Sequence, residues 1–279
     1  MTSGGEQGSA PKFTALVLAG QRGGQDPLAQ AAGVSHKCLV SVAGVPMLRR
    51  VVAALATSPS IGPIAVSIEH PALLADWQVP DRPDGQLMAL TSAGTPSESV
   101  LSAAGALGDP YPLLITTADH PLLTPTIVEA FCAAARRPDI DVAVGLTSRE
   151  VIVEAYPNNR RTYIKFRDSG YSGANLFAIV SEEGLEAVRF WRRVERERKR
   201  PWRMVRAFGW GNLLTYFLRR LTLDQAMVRA SRVLGLRAAA VALPFAEAAI
   251  DVDKPADLEL VEQILAQREA ENVPARPSI

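Results

Sequence analysis

The sequence predicts an α/β protein with a doubly wound, mostly parallel sheet and a basic helical insertion late in the chain. Three observations carry that expectation. Strand-like apolar runs alternate with helical patterns through the first 180 residues, the rhythm of right-handed βαβ crossovers with helices on both faces. Thr14-Ala15-Leu16-Val17-Leu18 is too short an apolar run for a core helix and leads straight into a glycine turn, as a strand buried on both faces does. Residues 186–237 hold thirteen arginines and one lysine against three glutamates and one aspartate, ten positive charges in excess, in a chain whose net charge is +1.

The elements follow in order. Met1 to Lys12 is polar and rich in Gly and Ser, and is expected to be a disordered tail rather than a signal peptide. Ala15–Leu18 is the first strand. Pro46 to Ala56 has apolar residues at helical spacing, Ile64–Ile68 alternates as a strand, and Leu87–Leu90 is a third strand. Ser99 to Leu107 reads as a short helix with Ser97 as its N-cap. Leu113–Thr116 is a buried strand, and Thr124 to Ala135 is a helix capped by Thr124 with Pro125 at its first position. Val142–Leu146, Thr162–Phe166 and Asn175–Val180 complete the strands. One domain over residues 13–265 is expected, including the insertion at 186–237, followed by a flexible tail at 266–279.

Composition narrows the class. With 279 residues, 48% of them hydrophobic and 21% charged, the chain can bury a substantial core. No uncharged apolar run approaches the ~20 residues of a membrane span. Cys38 and Cys132 are too few for a disulfide framework and too isolated for a zinc site, which suits a reducing cytoplasm. The insertion carries Trp191, Trp202 and Trp210 with Phe190, Phe208, Tyr216 and Phe217, and is broken near Pro201 and Gly209-Trp210-Gly211. Basic and aromatic together suit a helix lying on an anionic surface, here the inner face of a membrane. The alternative is a helical subdomain that packs its aromatics inward. No groove-reading motif is present, so nucleic acid is not an expected partner.

The chemistry gathers where strands end. Gly20, Gly23 and Gly24 lie within five residues after the first strand and let the chain turn and bring backbone N–H groups against an anion. Arg22 within the turn and Lys37 beyond it can neutralise a polyphosphate, although neither G-x-x-x-x-G-K-[ST] nor G-x-G-x-x-G is present. Asp119, just past Leu113–Thr116, can hold Mg²⁺ against substrate phosphates; otherwise it caps a turn before Pro121. Asp251 and Asp253, two apart on an extended segment, point the same way, so that one could join Asp119 at a metal; a solvated turn is the alternative. Asp257 suits the first turn of a following helix. Arg160, Arg161, Lys165 and Arg167 surround the Thr162–Phe166 strand, with Tyr171-Ser172-Gly173-Ala174-Asn175 beyond. That cluster suits a small anionic phosphorylated acceptor, or a strand whose charges face water.

Together these segments resemble a family. L-A-G-x-R-x-G after a strand, a Lys before G-x-P-M-L, T-A-D-x-P-L-L and a late D-V-D-x-P-x-D-L are similar to nucleotidyltransferases of the molybdopterin-guanylyltransferase type. Their relatives include the methylerythritol-phosphate cytidylyltransferases and the pyrophosphorylases that make sugar nucleotides. Ala93-Gly94-Thr95-Pro96-Ser97-Glu98-Ser99-Val100 resembles the base-binding loop and helix start of the cytidylyltransferase branch. The resemblance spans residues 14–180 and 245–265 and leaves the insertion outside it.

It implies a Rossmann-like, glycosyltransferase-A-like fold and a Mg²⁺-dependent cytoplasmic enzyme. Leu18 and the backbone amides of Ala19, Gly20, Gln21, Arg22, Gly23 and Gly24 would hold the triphosphate. Lys37, with Arg22, would stabilise charge on the α-phosphate. Gly94, Thr95 and Ser99 would read the base, and Asp119 and Asp253, with Asp251 as a further ligand, would hold Mg²⁺. Arg160, Arg161, Lys165, Gly173 and Asn175 would meet the acceptor. This loop departs from the family's G-x-G-x-R in having Arg22 ahead of Gly23-Gly24. The expected reaction moves a nucleoside monophosphate from an NTP, CTP first and GTP second, to a phospho-acid or phospho-polyol such as phosphoglycerate, with a lipid head group as a possible destination. Guanylyl or sugar-phosphate transfer, a nucleotide-sugar glycosyltransferase and a non-catalytic membrane-associated regulator are the alternatives. No Ser-His-Asp or Cys-His arrangement is needed, because phosphate is itself a competent nucleophile, and His36 and His120 have no base role.

Overall fold

Alternation along the first strand sets the layers. A computed structural model describes residues 10–21, 24, 26–79, 87–108, 110–159, 161–197 and 221–272. In β1 (Phe13–Leu18), Phe13, Ala15 and Val17 face one side of the sheet and Leu16 the other. The first set packs on α2 (Met47–Ala56) and α4 (Pro125–Ala135). Leu16 packs on α3 (Pro96–Leu107) and, through Leu185, on α6 (Leu185–Glu197). A strand covered on both faces must be apolar on both.

The described sheet runs β10-β7-β9-β6-β1-β4-β5, with β4 (Ile61–Ile68), β5 (Leu87–Thr91), β6 (Leu113–Thr117), β7 (Val142–Ser148), β9 (Gly170–Ile179) and β10 (Ala238–Ala242). The chain leaves β1 for β4 and β5 on one side and then returns to β6 on the other. The β1/β6 boundary is therefore a switch point, where the carboxyl ends of strands part and ligands collect. Leu18 pairs with Thr117 on β6 and with Ser67 on β4, so three strand ends lie level there. β9 runs antiparallel to both β6 and β7, which makes the sheet mixed, though mostly parallel as expected.

A third layer closes the site end. α1 (Pro27–Ala31) is capped by Asp26, whose Oδ1 accepts from Leu28 N at 2.9 Å. It packs with a hairpin of β2 (Ser41–Val42) and β3 (Val45–Pro46) and with α8 (Pro255–Asn272) around Leu28, Val42, Ile250, Val261 and Ile264.

Several expectations are corrected. The helix expected at Ser99 begins at Pro96, and its cap is Thr95, whose Oγ1 accepts from Glu98 N at 3.2 Å; Pro at the first position fixes that start. The strand expected over Thr162–Phe166 shortens to β8 (Ile164–Lys165) on the flank of β9. α8 reaches Asn272, so 266–272, expected as tail, is helix. The two-residue hairpin strands, α5 (Arg149–Ala155) and β10 were not foreseen. The insertion contributes α6 and α7 (Leu223–Leu234), the latter opened by a Thr222–Gln225 capping box. Its expected breaks near Pro201 and Gly209–Gly211, with most of its aromatics, lie outside the described residues, as do Met1 to Ser9 of the expected N-terminal tail and residues 273–279.

Candidate active site

The lysine that the sequence singles out sits at the switch point between two acids. Lys37 opens a short 3₁₀ turn below the hairpin, and its Nζ donates to Asp119 Oδ2 at 2.8 Å and to Asp253 Oδ1 at 2.6 Å. Asp119 follows β6. Its backbone carbonyl accepts from Val252 N at 2.9 Å, and this bond brings the late acidic segment up to the early lysine. Burial alone would lower the Lys37 pKa, but Asp119 and then Asp253 overcome it and push it up to about 12. Lys37 is thus a fixed cation. Asp119 Oδ1 is buried and lacks a hydrogen-bond partner among the described residues.

The second acid of the late segment belongs to another partner. Asp251 Oδ1 accepts from Arg161 Nη1, its carbonyl accepts from Arg161 Nη2 at 3.1 Å, and Asn175 Nδ2 donates to Oδ2 at 3.2 Å. Burial resists charge on Asp251, yet Arg161 and Asn175 hold its pKa below the ordinary carboxylate range. Residues two apart in an extended segment are ~6.6 Å apart, far enough for separate cations to claim them. Asp251 therefore stands with Arg161 and Asn175, while Asp119 and Asp253 share Lys37. Asp257 sits in the first turn of α8, as expected, where Oδ2 accepts from Asp253 N and Lys254 N at 3.1 and 3.2 Å.

The glycine turn borders a pocket. Leu18, Gly20 and Gln21 line it from one side, Ser67 and Glu69 from the end of β4, and Gly94, Thr95 and Ser99 from the loop into α3. Ser99 Oγ accepts from Ala93 N at 2.9 Å and so closes that loop. Gly20 is favoured by close approach, since an added Cβ would lie 3.1 Å from Glu69 Oε1 and 3.2 Å from Ser92 Cβ. Gly24 has φ +104°, a conformation that glycine supplies freely.

Two of the loop amides expected to hold triphosphate are already spent. Ala19 N donates to Ser67 O at 2.8 Å, and Gln21 N donates to Glu69 Oε1 at 2.5 Å. Arg22 and Gly23 lie outside the described residues.

Glu69 was missed in the sequence, where it is one acid after one strand. Its Oε2 is buried, lacks a hydrogen bond among the described residues and faces His36 Nε2 at 3.6 Å. Of the expected acceptor residues, Arg161 and Asn175 meet at Asp251. Gly173 lies exposed on β9 two residues before Asn175. Lys165 pairs with Gly170 on exposed β8, five residues and on the order of 15 Å along β9 from Asn175. Arg160 is outside the described residues. His120 is fully buried, with Nε2 3.3 Å from Glu247 O, and burial lowers its pKa. It supports the Asp119 loop from behind.

Comparisons with known proteins agree with this picture. The family model of the MobA-like NTP transferase domain matches residues 15–165. No curated protein matches the chain. A solved hypothetical transferase from Thermus thermophilus is 28% identical, with a TM-score of 0.69 over 88% of this chain and 99% of that one. CMP:2-keto-3-deoxy-manno-octonic acid synthetase complexed with CTP is 14% identical, with a TM-score of 0.56 over 92% of this chain and 100% of that one. The 4-diphosphocytidyl-2C-methyl-D-erythritol synthase of Anaerococcus prevotii is 11% identical, with a TM-score of 0.55 over 91% and 99%. The last two establish likeness of fold, a Rossmann-like sheet of the nucleotidyltransferase kind. No described helix is long and apolar enough to cross a membrane.

Proposed function

The chain belongs to the MobA-like NTP transferase family, and from that premise we propose that it transfers a nucleoside monophosphate from an NTP to a small phosphorylated acceptor and releases pyrophosphate. The observation that carries this reading is Lys37, fixed between Asp119 and Asp253 at the switch point, with the loop pocket built from the neighbouring ends of β1 and β4. An acceptor phosphate oxygen attacks the α-phosphorus in line, and the bond from that phosphorus to the bridging oxygen of the departing pyrophosphate breaks. Lys37 neutralises charge on the α-phosphate in an already oriented position, which is where such enzymes gain rate. Asp119 and Asp253 hold the ammonium in place. Arg161, oriented by Asp251, is the cation offered to the acceptor.

Mg²⁺ fits the same acids. Among the described residues no group of three or more His, Cys, Asp or Glu converges, but Mg²⁺ needs one or two carboxylates with phosphate oxygens and water. Asp119, through its unpartnered Oδ1, and Asp253 would hold it. When bound, the ion would neutralise the triphosphate and favour the departure of pyrophosphate.

The pocket favours a base with an amino donor. Glu69 Oε2 is an acceptor without a hydrogen bond among the described residues, which suits the exocyclic amine of cytosine or guanine better than uracil, whose donor is a single ring N–H flanked by two carbonyl acceptors. We infer CTP as first donor and GTP as second. A site with a buried polar group rejects a partner that leaves it unpaired. The test is pyrophosphate release with Mg²⁺, each NTP and a panel of phosphorylated acceptors, for wild type, Asp119→Ala and Glu69→Gln. Acceptor-dependent release with CTP or GTP, lost in Asp119→Ala, is expected, with discrimination against UTP reduced at least tenfold in Glu69→Gln. Release that needs no acceptor, or that survives Asp119→Ala, would sink the reading.

A further inference from the structure

Glu69 has a second claimant that the proposed reaction leaves unused. The two oxygens of its carboxylate are placed differently. Oε1 accepts from Gln21 N at 2.5 Å and is spent on the glycine turn. Oε2 has no hydrogen bond among the described residues and faces His36 Nε2 at 3.6 Å. That separation is too long for a hydrogen bond, but short enough for an ion pair once the ring carries a proton.

His36 is built into the site rather than left beside it. It is 5% exposed and caps the 3₁₀ turn that Lys37 opens. Its Nδ1 lies 3.0 Å from Ser35 Oγ, and Ser35 O accepts from Gln21 Nε2 at 2.9 Å. Gln21 is thus tied to Glu69 by its backbone and to Ser35 by its side chain, so that turn, carboxylate and imidazole form one closed ring of contacts. With Oε1 and Nδ1 engaged, Oε2 and Nε2 are the atoms left to respond to charge. The other ionisable groups around the imidazole have settled roles. His70, just after β4, meets the ring edge-on with centroids 5.6 Å apart. Lys37 is held by Asp119 and Asp253, and burial pushes the Cys38 thiol up to about 12, which keeps it neutral. α1, packed on the turn, has no titratable side chain of its own, and Asp26 caps it. α2 packs there as well, and its Arg49 and Arg50 go to the Trp77 ring and to Val42 O. Glu69 is left as the ion-pair partner of His36.

We propose that His36 sets the choice of donor base through Glu69: an imidazolium claims Oε2, and a neutral ring leaves Oε2 to the exocyclic amine of the base. The imidazolium also offsets the carboxylate charge that strengthens a bond to that amine. A histidine ordinarily changes charge between pH ~5 and ~8, so preference for CTP over UTP weakens as the pH falls. The proposal rests on the reading of Glu69 as the acceptor for the base, and deepens it. His36 is a positioning residue here, touching no substrate and taking no proton from one. Linkage is reciprocal: CTP, by engaging Oε2, disfavours the imidazolium and binds with fewer protons than UTP does.

The test is calorimetric binding of CTP and UTP to the full chain at pH ~6 and ~8, each in two buffers of different ionisation heat, for wild type, His36→Gln and Glu69→Gln. The ratio of the two affinities cancels the titration of the triphosphate, which both nucleotides share. In wild type the CTP-over-UTP margin should be roughly fivefold larger at the higher pH. CTP should also bind with a smaller proton uptake than UTP, a readout on wild type that holds even where His36→Gln fails to fold. His36→Gln should show the same margin at both pH values, and Glu69→Gln should lose the margin at both. A wild-type margin that is flat with pH, equal proton counts for the two nucleotides, or a pH dependence that survives His36→Gln overturns the proposal and leaves the base reading standing. An unchanged margin in Glu69→Gln overturns the base reading itself, and the proposal with it.

Discussion

Lys37 is partly buried, and removal from water would favour its neutral form, yet two carboxylates hold the proton on it. Its pKa rises on folding from 10.5 to about 12, a difference worth about 2 kcal/mol. Because the folded value is the higher, that stabilisation is complete below pH ~10.5 and lost as pH climbs through the folded value. In urea titrations the gap between wild type and Lys37→Met should hold steady from neutral pH to about 10 and shrink above it. The same variant should lose about 100- to 1000-fold in turnover at pH 8, as for removal of one fixed electrostatic donor. Asn175 offers a separate test. It adopts φ +50° and also donates to Asp251. Asn175→Ala gives up the hydrogen bond and takes on left-handed strain, together about 2 kcal/mol. Asn175→Gly should fall between it and wild type in denaturant midpoint, because glycine removes the strain but not the loss of the bond. Asp119 stood out in the sequence as a charge just past an apolar strand, Lys37 as a lone cation beyond the glycine turn, and Asp253 as one of a late acidic pair. Glu69 was not legible there, because only the fold brings it to the glycine turn.

At the scale of elements, the insertion reaches the loop that lines the glycine-turn pocket. Glu195 on α6 accepts from Ser97 Oγ, and Arg196 Nη2 donates to Glu98 Oε1 at 2.5 Å. Ser97 in turn lies 3.1 Å from Thr95 Oγ1, on the loop that lines the pocket. Glu195→Ala and Arg196→Ala should therefore raise the KM for NTP several-fold while kcat stays near wild type, measured by initial rates. Arg196→Lys should recover part of the loss. The stability of Arg196→Ala should stay near wild type, because its pair with Glu98 is exposed to solvent. The parallel strands were readable because burial on both faces leaves uninterrupted apolar runs. β10 escaped notice because Ala238-Ala239-Ala240-Val241-Ala242 is poor in strand formers, and it is a strand by virtue of pairing with β7. The reversed direction of β9 was also hidden, since register and polarity belong to the sheet rather than to the segment.

Over the whole molecule, the late chain locks the early chain. Val261 and Ile264 of α8 are buried against Val42 and Leu28, so Ile264→Ala should lower unfolding free energy by about 2–5 kcal/mol. Denaturation followed by both far-UV signal and tryptophan fluorescence should remain one coincident transition, because β10 and α8 are built into the same sheet and layers as β1. That layout has a consequence for the newborn protein. The ribosome delivers Lys37 and Asp119 early, but Asp253 arrives 216 residues after the lysine. At 5–20 residues per second, the nascent chain spends on the order of ten seconds or more with its reactive cation guarded by one acid instead of two.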